Sequence, residues 1–202
     1  MYLNRLNYRS CIAAYAILGI SLTLTAIFWN GIFSSTAAAQ ETLGTSTPDA
    51  PTATFNANAG TLGAIPDNNP ATPRDVTFTV IGLSGPPTNV EVSHTYSPIH
   101  TWAGDINCTL IAPNGTTFVV YGRTGQVGTA AGDSSDLSGP YNFKDSAAGT
   151  NWWAAAFAAG AAAVVPPGDY RTTQSGPQPV NSTSPVTNLT AAFAGVANPN
   201  GT

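Results

Sequence analysis

Between Asp105 and Gly122 the chain alternates apolar and polar residues twice, around a Pro113-Asn114-Gly115 break. Ile106, Cys108 and Leu110 fall on one face of the first run, and Phe118 and Val120 on one face of the second. Period-two patterning on both sides of Asn-Gly is the strongest short-range hairpin signal, because both residues tolerate the positive φ of a tight turn. It commits this part of the chain to strands with one buried face.

The neighbouring sequence follows the same rule. Residues 76 to 83 place Val76, Phe78 and Val80 on one side, and residues 89 to 96 place Val90, Val92 and His94 on one side. Residues 141 to 145 read as a further short strand. Charged residues make up 8% of the chain, against about 25% in ordinary soluble domains. With 20 Gly and 16 Pro, long helices laced by ion pairs are excluded, and short strands joined by many turns remain. The Ala-rich run 151 to 165 is ambiguous. Trp152, Trp153 and Phe157 lie at helical spacing, while Gly160 and Pro166-Pro167 limit a helix to two or three turns, and an irregular packed loop is the alternative. The expected fold is all-β, an antiparallel sandwich.

The first 39 residues form a separate unit. Arg5 and Arg9 precede an uncharged run from Cys11 to Trp29, and Ala37-Ala38-Ala39 follows. Basic, apolar and small-residue regions in that order predict a signal helix cleaved after Ala39 and a secreted or surface location. Its apolar run is near the ~18 residues that span a bilayer, so an uncleaved membrane anchor is the rival reading. Residues 40 to 61 read as a flexible leader and 62 to 202 as the folded domain. Cleavage leaves four basic and ten acidic side chains, a net charge near −6 without a basic cluster, which argues against nucleic-acid partners. It also removes Cys11, so Cys108 has no intrachain partner and is expected to be a buried small hydrophobe.

The segment from His100 to Thr116 holds a histidine, an aspartate and a cysteine, which raises the question of catalysis. A hydrolytic triad needs three groups in contact and an oxyanion hole. The chain has two histidines, His94 and His100, both in or beside strand patterns, and lacks a Gly-x-Ser-x-Gly elbow. Gly44-Thr45-Ser46 echoes a subtilisin serine loop but continues Thr-Pro-Asp and lies in the leader. His94 and His100 are six apart across a proline, which is not a metal-ligand spacing. Asp105, Asp133 and Asp136 could contribute to a calcium site, but without an Asp-x-Asp-x-Asp-Gly loop. The structural readings are favoured: Asp105 in an Asx-type turn, His100 as a hydrogen-bonded strand-end residue, and the tryptophans in the core. No catalytic, cofactor or metal residue is assigned.

These residues carry a resemblance. Ile65-Pro66-Asp67, then His100-Thr101-Trp102-Ala103-Gly104-Asp105-Ile106, then Pro113-Asn114-Gly115-Thr116 resemble the P domain, or Homo B domain, of proprotein convertases and kexin-like subtilases. Phe143-Lys144-Asp145, Gly168-Asp169-Tyr170-Arg171 and Asn200-Gly201-Thr202 resemble later segments of the family, in order. The resemblance implies a jelly-roll sandwich of galactose-binding type without catalytic residues, which packs on a subtilisin-like catalytic domain and tunes its calcium and pH dependence. The family's next strand would follow Thr202. The domain is therefore expected to be incomplete at its C-terminus, with an open edge, and residues 41 to 202 alone to be poorly folded. A partner catalytic domain would lie beyond Thr202 or on another chain. Two alternatives stand beside this reading: the leading part of a secreted serine peptidase, and a surface adhesion or glycan-binding sandwich using exposed Trp102, Trp152 or Trp153.

Overall fold

The computed structural model describes residues 2–7, 53–66, 72–147 and 150–202. Within them the protein is β-rich. Seven short strands run in chain order as β1 (Tyr2–Asn7), β2 (Arg74–Thr77), β3 (Val92–His94), β4 (Ile106–Ile111), β5 (Thr117–Gly122), β6 (Tyr141–Phe143) and β7 (Gly168–Tyr170). Two α-helices, α1 (Trp152–Ala159) and α2 (Leu189–Phe193), and a 3-10 turn at Ala103–Asp105 complete the elements. One sheet has the order β2-β1-β4-β5 and the other β3-β6-β7.

The hairpin expected at Asn114-Gly115 is present. β4 and β5 pair antiparallel from Ile111↔Thr117 to Asn107↔Gly122, with a bulge between Cys108 and Thr109. Gly115 has φ 84°, the Ala112 amide donates to the Thr116 carbonyl (2.8 Å), and the Thr116 amide donates to Asn114 Oδ1 (3.0 Å). Ile106, Cys108, Leu110 and Val120 are buried, as their alternation requires.

Pairing differs from the antiparallel expectation. β1 runs parallel to both β2 and β4, and β6 parallel to β7. The second case has a clear cause. Parallel neighbours need a long crossover, and the segment between β6 and β7 supplies one containing α1. Asn151 starts α1 by accepting the Ala154 amide (3.1 Å), and Gly160, at φ 84°, ends it. α1 buries Trp152, Trp153 and Ala156, a single arc, whereas Phe157 lies on the outer side of the turn and is half exposed.

Aromatic rings join the two sheets. Tyr121 of β5 stacks on Phe143 of β6 (centroids 4.9 Å), and Trp152 of α1 lies within 5.2 Å of Tyr121, Tyr141, Phe143 and Tyr170. One apolar core gathers β3 to β7 with both helices.

The boundaries also shift. The expected signal helix falls on residues outside those described, apart from its flank Tyr2–Asn7, which is extended. Among the described residues no helix is long and apolar enough to cross a membrane. The second half of the expected flexible leader is docked: Ala53 and Phe55 pack on Val80 and Leu83, Ala57 bridges Phe78, and the Asn58 amide donates to the Thr77 carbonyl (2.8 Å). Apolar burial and this pairing hold it.

Candidate functional site

The segment from His100 to Asp105 closes against residues 131 to 137. His100 and Leu137 exchange backbone bonds (2.9 and 2.7 Å), the Ala103 amide donates to the Ser135 carbonyl, and the Gly104 amide donates to the Asp133 carbonyl. A Cβ on Gly104 would stand 2.6 Å from the Ala131 carbonyl oxygen and 2.8 Å from Gly132 Cα. Glycine is thus required here by backbone contact. Trp102 holds φ 79°, uncommon for a bulky residue, with Nε1 donating to the Ala131 carbonyl (3.3 Å), and it stays 39% exposed. Asp105 lies in a 3-10 turn with its amide on the Trp102 carbonyl. The Asx-type turn in this corner belongs to Asp133, whose Oδ1 accepts the Ser135 amide (2.8 Å), and not to Asp105 as expected. The short polar side chain that folds back on its own backbone is the one in the loop, beyond the strand pattern.

Other motif residues have comparable places. Ile65 packs on the core, the Arg74 Nε donates to the Ala64 carbonyl (3.0 Å), and Asp67 lies outside the described residues. Pro66 is described and half-buried. Pro113, Gly115 and Thr116 form the β4–β5 turn. Tyr170 is buried, and its hydroxyl donates to the Pro166 carbonyl. Arg171 Nη2 donates to the Thr187 carbonyl (3.2 Å) and to Asn188 Oδ1 (2.8 Å). Asp145 accepts the Leu189 and Thr190 amides (2.8 and 2.9 Å), capping the first turn of α2. Sequence reading missed α2. Asn188 at its cap position was a signal, but the capping carboxylate comes from a residue 44 positions away.

A buried polar cluster was also missed. His94 Nε2 lies 2.9 Å from the Tyr121 hydroxyl, which also meets the Tyr96 hydroxyl. Tyr96 sits between His94 and His100, with ring centroids 5.4 and 5.8 Å away. The fold therefore brings both histidines to one place, with tyrosines between them. His94 as a whole is half-buried, but its ring is enclosed: it stacks on Phe143 (5.5 Å), and Nδ1 is buried without a hydrogen-bond partner. Desolvation lowers the His94 pKa to about 4, and burial pushes the Tyr121 hydroxyl and the Cys108 thiol well up. At neutral pH the imidazole is neutral and the phenol and thiol are protonated. The cluster presents hydrogen bonds and ring contacts, with Cys108 inside the core as alternation required.

Among the described residues no three His, Cys, Asp or Glu side chains come together in a way that could hold a metal ion. Trp152 and Trp153 are fully buried, so of the three tryptophans considered for sugar stacking Trp102 alone offers an exposed face. No family model, curated protein or solved structure matches the chain.

Replacing Asp145 by alanine removes both capping bonds of α2. The expected cost is about 0.5–2 kcal/mol, read as a lower midpoint in urea unfolding. Unchanged stability would show that α2 does not depend on this carboxylate.

Proposed function

We propose that the protein is a non-catalytic, exported β-sandwich module of the P-domain type, with jelly-roll topology, that stabilises a subtilisin-like serine peptidase domain in cis or in trans. The observation that carries this reading is where the motif residues go. His100, Gly104, Asp145, Tyr170 and Arg171 each fix one segment of backbone against another. A motif set devoted to shaping loops suits a scaffold that presents a surface, not a reaction centre. The neutral His94 and the protonated Tyr121 and Cys108 support the same reading, since none is activated as a nucleophile or base.

The test is to add the protein to a subtilisin-like catalytic domain that lacks its own accessory module. A higher thermal midpoint of the catalytic domain, and less calcium needed to hold it folded, is the expected outcome. Equal midpoints with and without the added protein would reject the proposal. The glycan-binding reading now rests on Trp102 alone; sugar binding lost in Trp102→Ala with the fold intact would favour it instead.

A further inference from the structure

Asn-x-Ser/Thr triplets begin at Asn107, Asn114, Asn181, Asn188 and Asn200. They share one sequence pattern, and the fold gives each a different setting. Such a triplet is the acceptor for an N-linked glycan in an exported chain. Transfer precedes folding, so the folded structure decides which glycans can be kept. A kept glycan needs an asparagine whose Nδ2 is open to solvent and whose side chain the fold does not use.

Three of the side chains are in use. Asn107 is 8% exposed, its Oδ1 accepts the Ser175 hydroxyl (3.3 Å), and a Cβ on Gly122 would stand 2.0 Å from that oxygen. The β4–β5 pair closes over it and leaves no room for a sugar. Asn200 spends both Nδ2 protons, on the Leu83 carbonyl (2.7 Å) and on Asn198 Oδ1 (2.9 Å). A glycosidic bond removes one of them. Asn188 is held through Oδ1 by Arg171 Nη2 (2.8 Å) at the start of α2.

The other two make no bond outside their own triplet among the described residues. Asn114 is exposed at the β4–β5 turn, and its Oδ1 accepts the amide of Thr116, the third residue of its triplet (3.0 Å). That Asx-type turn holds the oxygen against the backbone and leaves Nδ2 on the solvent side. Asn181 is exposed in an excursion whose base is closed by the Gln174 amide on the Pro185 carbonyl (3.1 Å) and by the Thr173–Val186 bridge. Thr173 lies beside Val120 and Ser175 beside Gly122, so the excursion departs from the end of β5 opposite to Asn114.

We propose that Asn114 and Asn181 carry N-linked glycans, one at each end of β5, taken from a lipid-diphosphate-linked oligosaccharide. In the transfer Nδ2 bonds to the sugar C1 and the C1–O bond to phosphate breaks. The lipid diphosphate leaves, one amide proton passes to a base, and nothing is oxidised or reduced. The inference rests on the export part of the reading above and not on the peptidase partner.

Synthesis of the full chain in the presence of endoplasmic-reticulum vesicles tests it. The chain protected from added protease is expected to carry two glycans. Their release by a peptide N-glycosidase in heavy-oxygen water converts each former acceptor to a labelled aspartate. Label is expected at positions 114 and 181 and at none of 107, 188 and 200. Thr116→Ala and Thr183→Ala should each remove one glycan; the first keeps the turn intact, because the donor to Asn114 is a backbone amide. A protected chain unlabelled at 114 or 181, or labelled at any of the other three, overturns the proposal and leaves export standing. A chain that stays accessible to protease overturns it through the export reading.

Discussion

Trp152→Ala is expected to destabilise the domain by about 3–5 kcal/mol, a large part of the ~5–15 kcal/mol that holds a typical domain folded. The indole is fully buried, and the rings of Tyr121, Tyr141, Phe143 and Tyr170 all lie within 5.2 Å of it. These rings come from both sheets, so the truncation opens a cavity where the sheets and α1 meet. A polar term adds to it. Trp152 Nε1 donates to Thr124 Oγ1 (2.9 Å), and Thr124 is itself fully buried. Without the indole that hydroxyl loses its donor in a dry site. Chemical denaturation with tryptophan fluorescence and circular dichroism would read the change. Trp152→Phe retains most of the ring volume and should cost less. Equal losses for the two variants would point to the hydrogen bond; a loss under about 1 kcal/mol for alanine would mean that the core repacks around the gap.

Acidification should produce the second large effect. The unfolded chain protonates a histidine near pH 6.5, whereas burial holds His94 to about 4 in the folded state. Below pH 6.5 the unfolded state binds the proton and the folded state does not, so stability falls as pH drops. The loss grows until about pH 4 and then levels, amounting to roughly 3 kcal/mol at 1.36 kcal/mol per pH unit. Above pH 6.5 the term is fully favourable and constant. Its source is the surroundings of the ring: Phe143 stacked on one side, Tyr96 and Tyr141 edge-on, and the Tyr121 hydroxyl on Nε2. None of these carries a negative charge at that pH to receive an imidazolium. His94→Gln keeps a polar partner for Tyr121 and does not titrate, so its stability profile should lack the slope between pH 6.5 and 4. Parallel profiles for the two proteins would assign the acid sensitivity to the carboxylates, and an NMR titration of His94 centred near 6.5 would refute the burial argument directly.

Both effects converge on one cluster, and the sequence showed only part of it. Tyr141 and Phe143 were legible as a short strand, and Trp152 and Trp153 as core residues. That His94 and Tyr96 share one site with Tyr121 and Trp152 was not legible, because they come from three separate segments. The same holds for Asp145 and the start of α2. A capping carboxylate beside its helix is a visible pattern, whereas one delivered across 44 residues is not.

The sequence by itself determined what depends on neighbours along the chain. The β4–β5 hairpin follows from alternation around Asn114-Gly115, the inward side of Ile106, Cys108 and Leu110 from the period of a strand, and the short reach of α1 from Gly160. Tertiary structure alone decided the sense of pairing, the docking of Ala53 to Asn58, the choice of Asp133 over Asp105 for the turn, and the enclosure of His94. Period-two patterning records which face of a strand is buried but carries no information on which strand lies beside it. Backbone hydrogen bonds between strands are nearly indifferent to side-chain identity, so partners, register and gaps are settled by the packing of the whole core.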